Sequence, residues 1–436
     1  MMSELNFIKG DSKVLNAWAF YDWANSVYPL VISSSVFPIY YGALFSGGLY
    51  IDVFGFNFKN TALISFLTAF AFVVLSFLTP LLSGIADYMG NKKTFLKFFC
   101  YTGSFSCMGL YWFDLENIYL GLFLYFLALI SFWASLVFYN AYLPDIAHKD
   151  QQDYISAKGY SLGYVGSVIL LIFNLAMVNY PDYFGITGDN PELIAMKYSF
   201  ISVGFWWIVF SQYTFYHLPN TAQKKEIVKD VIFNGFKELK EVWDELKNIK
   251  LIKNFLIAFF VYSSALQTVL IIATYFGEQE ITWDEGAKTK GLIISILLIQ
   301  LVAVFGAMLT AKISKKIGNI RTLLILNLIW ACLCVGAYFI NEPIEFYIAA
   351  GTVGMVMGGI QALSRSTFSK MIPDTENPTS YFSFFDVSQK VSIVLGMTLF
   401  AFLDQMTGSM RISILVFVLI FLIGAFLLNR INIKNV

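Results

Sequence analysis

Apolar runs of about 20 residues, separated by short polar segments, recur along the whole chain. A run of this length crosses a bilayer as an α-helix, because each helical residue advances about 1.5 Å. The runs are continuously apolar, whereas the strands of a transmembrane barrel alternate between apolar and polar positions. The pattern therefore predicts an all-α membrane protein with twelve transmembrane helices, at residues 15–44, 62–84, 94–113, 118–139, 157–178, 196–217, 252–275, 290–311, 321–340, 344–365, 381–403 and 411–429.

The composition agrees with this assignment. Hydrophobic residues make up 58% of the 436 residues and charged residues only 13%, whereas a soluble domain carries roughly a quarter charged residues. We therefore expect the lipid bilayer to cover most of the surface. The first run contains Asp22 and Asn25 and is followed by no small-residue cleavage pattern, so we interpret it as a membrane span and not as a signal peptide.

Basic residues are distributed unevenly between the two sets of loops. If both termini lie in the cytoplasm, the inner segments contain 23 Lys and Arg residues, the outer loops contain five, and Lys390 lies within a span. Because cytoplasmic segments are enriched in Lys and Arg, we predict a multi-pass protein of the cell (inner) membrane with both termini cytoplasmic. Basic and acidic residues balance at 29 each, so the net charge gives no indication of nucleic-acid binding.

A polar segment rich in Lys and Glu, residues 218–250, separates the first six spans from the last six. Its apolar residues recur at helical spacing, which predicts a cytoplasmic amphipathic linker helix, either a tether that packs on the bundle or a site for a regulatory partner. Two short motifs recur about 228 positions apart: Met89-Gly90-Asn91 resembles Ile317-Gly318-Asn319, and Leu143-Pro144-Asp145 resembles Ile372-Pro373-Asp374. The repetition predicts two parallel six-helix halves, residues 1–217 and 251–436.

The loop after the second span reads GIADYMGNKK from Gly84 onward. Gly84 allows close helix packing, Asp87 is placed to pair with a cation or a helix N-terminus, and Gly90 permits a tight turn. Lys92 and Lys93 hold the loop on the cytoplasmic side. We interpret this segment as a gating loop, and the alternative is an ordinary positively charged loop.

The spacing G-x-x-x-D-x-x-G-x-K/R-K/R in this loop resembles the signature of the major facilitator superfamily. Three longer motifs, Ala19–Ser26 (AFYDWANS), Tyr139–Ala147 (YNAYLPDIA) and Gly358–Ser366 (GGIQALSRS), resemble the unknown major facilitator family, whose fungal relatives are vacuolar amino-acid effluxers linked to autophagy. The resemblance covers most of the chain and implies the major facilitator fold, alternating access and amino-acid efflux. In the second half Lys315 stands where the signature has its acid, so the signature is incomplete there.

Asp22 lies about seven residues into the first predicted span. A lone carboxylate inside the bilayer costs about 2.5–3.5 kcal/mol on insertion scales, so we expect Asp22 to face a cavity or a partner. Asn25 and Tyr28 follow at i+3 and i+6, on nearly the same helix face. These three residues are candidates for binding the substrate or carrying protons, and the alternative is a structural hydrogen-bond network between helices.

A second set of charges, Asp386 and Lys390, is spaced i, i+4 within the eleventh span, so the two side chains can meet. One interpretation is a mutually neutralising pair. The other is that Lys390 receives a substrate carboxylate while Asp22 faces the ammonium group of the substrate. A site with a cation for the carboxylate and an anion for the ammonium group would suit an amino acid, which carries both.

Three further polar residues of the family motifs are candidates for the transport pathway. Arg365, at the inner end of the tenth span, is either an interface anchor or a gate, and Asn140 and Gln361 are uncharged candidates for contacting the substrate. The four cysteines lie in apolar stretches and the two histidines are far apart, so we predict no metal site. No catalytic residue and no cofactor is indicated.

We therefore predict a secondary active transporter, not an enzyme, that moves a small solute across the membrane as a monomer. Proton coupling through Asp22 is a further hypothesis. An integral membrane enzyme is one competing function and would need a catalytic constellation. A channel or receptor is the other, and would show a continuous pore or a large appended soluble domain, for which no loop is long enough.

Overall fold

The computed structural model of the protein describes residues 8–44, 50–53, 55–220, 231–284, 288–375 and 377–431, which are predominantly helical. The helices in these ranges are α1 (Ser12–Asn25), α2 (Val36–Leu44), α3 (Asn60–Met89), α4 (Lys92–Gly109), α5 (Ile118–Asn140), α6 (Leu143–Ile146), α7 (Lys149–Asn179), α8 (Pro191–His217), α9 (Val231–Asn248), α10 (Lys250–Gln279), α11 (Lys288–Ile317), α12 (Asn319–Ala337), α13 (Pro343–Met371), α14 (Pro378–Thr407) and α15 (Met410–Asn429). A short antiparallel hairpin, β1 (Tyr50–Val53) and β2 (Phe56–Lys59), joins α2 to α3.

Eleven segments of the described chain are long and apolar enough to cross a membrane. The remaining predicted span corresponds to α4, which carries Lys92, Lys93 and Lys97 within its 18 residues and is therefore more polar. It nevertheless packs against α5 and α8 inside the bundle. The twelve predicted bundle helices are thus present, counting α4, which corresponds to the predicted span 94–113.

The first predicted span, residues 15–44, is not one continuous α-helix. α1 ends at Asn25, a π-helical turn covers Tyr28–Ser33, and α2 begins only at Val36. Pro29 lies at the start of the π-helical turn and has no N–H to donate to the preceding turn. A wider turn accommodates this missing donor, and the polar residues Asp22 and Asn25 lie immediately before it.

Two large clusters of buried apolar side chains form the cores of the bundle. One is drawn from residues 14–218 and the other mainly from residues 242–431. A small third cluster, Ala157, Ala307 and Ala362, lies where α7, α11 and α13 meet. Small side chains at this junction let helices from the two sets of six spans approach closely.

Residues Val231–Asn248 of the predicted linker form the helix α9, while residues 221–230 lie outside the described residues. α9 packs against α3, and its Val242 and Leu246 are buried. The Tyr381 hydroxyl of α14 donates a 2.5 Å hydrogen bond to Glu245 of α9. α9 therefore contacts α3 of the first six spans and both α10 and α14 of the last six.

Equivalent tight turns join α3 to α4 and α11 to α12. Gly90 has φ +62° in the first turn and Gly318 has φ +88° in the second. Both values lie in the left-handed region that favours glycine. Because these are the glycines of the repeated motif, the repetition in the sequence corresponds to a repeated backbone turn.

Candidate functional site

A buried ion pair joins the first span to the tenth. Arg365 of α13 donates from both terminal nitrogens to one carboxylate oxygen of Asp22 in α1, at 3.2 Å each. The two side chains are only 3% and 7% exposed. Each charge therefore depends on the other for neutralisation, since water is excluded from both. The sequence indicated these residues separately, and the structure brings them together.

Three neighbouring side chains complete the hydrogen bonding of the pair. The Tyr139 hydroxyl donates to the same Asp22 oxygen at 2.9 Å. Arg365 Nε donates to the hydroxyl of Ser156 and Nη2 to its carbonyl oxygen, both at 2.9 Å. Asn140 Oδ1 accepts a longer bond of 3.4 Å from Nη1. We call Asp22, Tyr139, Ser156 and Arg365 the Asp22–Arg365 network.

Aromatic rings surround the guanidinium group of Arg365. Its central carbon lies 4.9 Å from the ring centroid of Trp18, 5.5 Å from that of Tyr139 and 4.3 Å from that of Tyr160. These distances are within the range of cation–π attraction. Tyr139, Ser156 and Tyr160 were not predicted as site residues, although Tyr139 begins the second family motif and could have been selected on that basis.

Gly159 of α7 provides the space in which the Asp22 carboxylate lies. A Cβ at this position would be 2.4 Å from Asp22 Oδ2 and 3.2 Å from both the Tyr139 hydroxyl and Arg365 Nη2. A contact of 2.4 Å is shorter than nonbonded atoms adopt, so a larger residue requires the carboxylate to move. Glycine at this position is therefore part of the site.

The second pair of charges forms within α14. The ammonium group of Lys390 contacts the carboxylate of Asp386, one helical turn earlier, and Lys390 is fully buried. Thr79 Oγ1 of α3 donates to Asp386 at 3.3 Å, and Lys390 Nζ lies 5.5 Å from the ring centroid of Trp133 in α5. The pair thus lies where α14 meets two helices of the first half.

Asp22 and Lys390, which the sequence suggested as the two ends of one substrate site, have different partners in this conformation. Asp22 pairs with Arg365 and Lys390 pairs with Asp386. Each pair contains an acid and a base, so both predicted intramembrane charges are neutralised by protein groups.

The loop that begins at Gly84 reaches across to α14. Backbone N–H groups of Thr379 and Ser380, in the first turn of α14, donate to the two carboxylate oxygens of Asp87 at 3.2 and 2.7 Å. A helix N-terminus has unsatisfied N–H groups and partial positive charge, which a carboxylate satisfies. Asp87 therefore binds a helix N-terminus, one of the two partners that its position suggested.

The lysines of the same loop bind within the first half. Lys92 forms an ion pair with Asp145 and donates to the carbonyl oxygen of Ala141 at 3.1 Å. Lys93 Nζ donates to the carbonyl oxygen of Leu218 at 2.6 Å. Gly84 is buried. These contacts tie the loop to the ends of α5 and α8 and so hold Asp87 in place.

The equivalent loop of the second half lacks the acid, but an acid from the first half lies there instead. Asp153, near the start of α7, forms an ion pair with Lys370 at 2.5 Å. It also accepts hydrogen bonds from Asn319 Nδ2 at 2.8 Å and from Ser314 Oγ at 3.4 Å. Asp153 was not predicted, and it stands in a charged segment where nothing distinguishes it from its neighbours.

The four uncharged candidates fall into two groups. Asn140 contacts Arg365, and Gln361 Oε1 accepts a 3.0 Å hydrogen bond from the hydroxyl of Tyr164. Asn25 and Tyr28 lie inside the first half, where Tyr28 stacks on Phe132 with ring centroids 4.9 Å apart. In the described part of the chain, no group of three or more His, Cys, Asp or Glu residues could hold a metal ion.

The hydrogen bonds between the two sets of six spans lie toward one end of the bundle. Along α7, which begins at Lys149, they start at Asp153 and end at Tyr164. α7 continues to Asn179, and among the described residues no side-chain hydrogen bond from 165–179 crosses to the last six spans. The side-chain hydrogen bonds between the two sets of six spans are therefore concentrated toward the end of the bundle at which α7 begins.

Two solved structures of transporters have the same arrangement of helices. The fucose:proton symporter FucP of E. coli aligns over 97% of this chain and 98% of its own, with a TM-score of 0.69 and 14% identity. A double-tryptophan variant of XylE aligns over 97% and 96%, with a TM-score of 0.73 and 12% identity. Both are proteins of the major facilitator superfamily, and this chain has their fold.

Sequence comparison identifies one family within the major facilitator superfamily. The uncharacterized MFS-type transporter YxiO of Bacillus subtilis is 30% identical over 424 residues, which cover 97% of this chain and 95% of that protein. Autophagy-related protein 22 of Vanderwaltozyma polyspora is 26% identical over 418 residues, covering 85% and 76%. Residues 10–435 match the family described as "Vacuole effluxer Atg22 like", and the chain belongs to that family. It is a multi-pass membrane transporter of small solutes and not an enzyme.

Proposed function

We propose that this transporter works by alternating access, with residues 1–217 and 251–436 as two halves that rock about a central site and residues 218–250 as their linker. The observation that carries the proposal is the Asp22–Arg365 network, which joins α1, α5 and α7 to α13. A buried ion pair between two bodies is a discrete contact, either made or broken. It therefore suits a gate that must be closed in one state and open in the other.

The conformation is closed at the end where α1 and α7 begin. If both termini are cytoplasmic, as the basic residues predict, this closed end faces the cytoplasm and the central site faces outward. A FucP structure in the outward conformation aligns with a TM-score of 0.69, which supports this interpretation. Reporter fusions at Met1 and Val436 test the orientation, and a reporter active on the outer side at either terminus would contradict it.

For the substrate we propose an amino acid, and for the direction of transport, efflux. The family's description as vacuole effluxers supports export. The Asp386–Lys390 pair supports a zwitterion, because an amino acid carries one group of each charge. Lys390 would receive the carboxylate, and Asp386 would receive the ammonium group, since Asp22 is held by Arg365.

Proton coupling is a second hypothesis, and it rests on the partner of Asp22. When the two halves separate at the closed end, Asp22 loses the cation that neutralises it. A proton can replace that cation, because an unpaired buried carboxylate is costly. If this occurs, Asp22→Asn should retain solute exchange and lose accumulation driven by a proton gradient.

The deciding experiment measures uptake and efflux of a labelled metabolite panel, including amino acids, in proteoliposomes. We expect Lys390→Ala to abolish transport while the protein still inserts and remains monodisperse. Arg411→Gln is the matched control, because Arg411 pairs with Glu280 inside one half. Unchanged transport in both Asp22→Asn and Lys390→Ala would show that these charges are structural, and would return the substrate site to Asn25, Asn140 and Gln361.

A further inference from the structure

A groove between the start of α10 and the end of α15 lies apart from all the contacts described above. It encloses about 400 Å³ and is lined by Lys250, Asn254, Ile257, Leu427 and Arg430. This volume is within the range of small-molecule binding sites. The groove opens on the outer surface of the bundle, where Lys250, Ile257 and Arg430 are exposed.

The lining of the groove changes from charged to apolar along the helices. Lys250, Asn254 and Ile257 follow one another at i, i+4 and i+7, so they share one face of α10. Leu427 lies nearly one turn before Arg430 at the end of α15. Two cations and an amide therefore stand at the helix ends, and two aliphatic side chains lie deeper along the spans.

The charged end of the groove is suited to an anion. In the described part of the chain, neither Lys250 nor Arg430 forms an ion pair. α10 also begins without a side-chain cap at Ile249, so the N–H groups of its first turn remain available at the same end.

The apolar end continues onto the lipid-facing surface. Ile257 is 46% exposed, and Ile423, one turn before Leu427 on α15, is 51% exposed. An extended hydrocarbon chain lying along this surface would cover apolar side chains next to the charged end. A free inorganic anion would use only the charged end, and a polar solute would not use the aliphatic side chains.

We propose that this groove binds one anionic phospholipid, with its phosphate on Lys250 and Arg430 and an acyl chain over Ile257 and Leu427. In the predicted orientation both helix ends face the cytoplasmic leaflet. Basic residues next to membrane spans on that side attract anionic head groups. The site is separate from the Asp22–Arg365 network and from the Asp386–Lys390 pair, so it does not depend on the proposed transport mechanism.

The test is native mass spectrometry of the full-length protein with phosphatidylglycerol and, separately, phosphatidylcholine. We expect phosphatidylglycerol to be retained preferentially, and Lys250→Gln/Arg430→Gln to reduce that retention about tenfold. The matched control is Lys253→Gln/Arg321→Gln, which removes the same charge from exposed residues of α10 and α12 outside the groove. Thermal unfolding of each variant verifies that it is folded.

A second arm separates a lipid from a free anion. Ile257→Asn should weaken phosphatidylglycerol binding without changing the charge, and glycerol phosphate should not displace the lipid. If the groove variant and the control variant lose phosphatidylglycerol retention equally, the lipid is attracted to surface charge in general, and the proposal is overturned. Equal retention of phosphatidylcholine, displacement by glycerol phosphate, or no retention in the unmodified protein would also overturn it.

Discussion

At the scale of single residues, the most informative feature is the dependence of Asp22 and Arg365 on each other. Removing one partner leaves a buried charge without compensation, which costs about 3–5 kcal/mol, whereas removing both avoids that penalty. We therefore expect Asp22→Asn and Arg365→Gln each to lower the unfolding temperature in detergent more than the double variant does. Thermal unfolding followed by tryptophan fluorescence measures this difference.

The control for this comparison of the single and double variants is Arg411→Gln. The side chains of Arg411 and Glu280 are 15% and 23% exposed. Water can therefore solvate the remaining charge, and the decrease in unfolding temperature should be smaller than for Asp22→Asn or Arg365→Gln. Single variants that are no less stable than the double variant would contradict the interpretation of Asp22 and Arg365 as an obligatory pair.

Gly159→Ala tests the same network without changing any charge. The added Cβ would lie 2.4 Å from Asp22 Oδ2, so the carboxylate must shift away from Tyr139 and Arg365. We expect slower transport and lower stability, by about 1–3 kcal/mol as for overpacked sites. Gly336→Ala in α12 is the control, because a Cβ there meets no atom within 4 Å. An equal effect of the two substitutions would argue against a specific role for Gly159.

The sequence identified the four charges of the two buried pairs, but it indicated which residues pair in only one of them. Asp22, Arg365, Asp386 and Lys390 are recognisable because charge inside a membrane span is costly. The i, i+4 rule predicted that Asp386 and Lys390 can meet, because that contact is local. Asp22 and Arg365 are 343 positions apart, and several cations could have served Asp22 equally well. Only the packing of α1 and α13 against the same helix, α7, selects Arg365.

At the scale of helices, the contact of the loop between α3 and α4 with α14 gives a further prediction. Asp87 accepts from the N–H groups of Thr379 and Ser380, and loss of a helix-capping acceptor costs about 0.5–2 kcal/mol. Asp87→Ala should therefore weaken the closed end and reduce transport. Asp87→Asn should be intermediate, because it retains one acceptor and loses the charge.

Asp404→Ala provides the control for Asp87, since Asp404 lies near the opposite end of α14. An acid near a helix C-terminus is unfavourable for the helix dipole, so its removal should not destabilise α14. Transport that is equally low in Asp87→Ala and Asp404→Ala would contradict the capping role.

Helix positions could be predicted from hydropathy more readily than helix irregularities. Eleven spans stand out by length and apolar character, while α4, predicted at 94–113, is less apolar because three lysines lie near its start. The break in the first span at Tyr28–Ser33 was missed, since a π-helical turn within apolar sequence does not change hydropathy. Pro29 was the available signal, although prolines also occur in membrane helices without such a turn.

At the scale of the whole molecule, the two-half architecture leads to the last prediction. Ala157 of α7 and Ala362 of α13 share one small apolar cluster with Ala307, at the end of the bundle that the Asp22–Arg365 network closes. A covalent bond between residues 157 and 362 would hold this end closed. If transport requires it to open, the bond must stop transport.

The experiment uses Ala157→Cys/Ala362→Cys in a background with Cys332→Ser, because Cys332 is an exposed free cysteine. Oxidation should form the disulfide and abolish transport in proteoliposomes, and a reductant should restore it. Each single cysteine variant should transport normally under both conditions. The control pair, Asn174→Cys/Ser202→Cys, replaces two residues of the first half whose side chains are hydrogen-bonded at 2.9 Å, and its disulfide should leave transport intact. Continued transport by the 157–362 disulfide-linked protein, verified by gel mobility, would contradict alternating access through this end, because a closed gate cannot pass a solute.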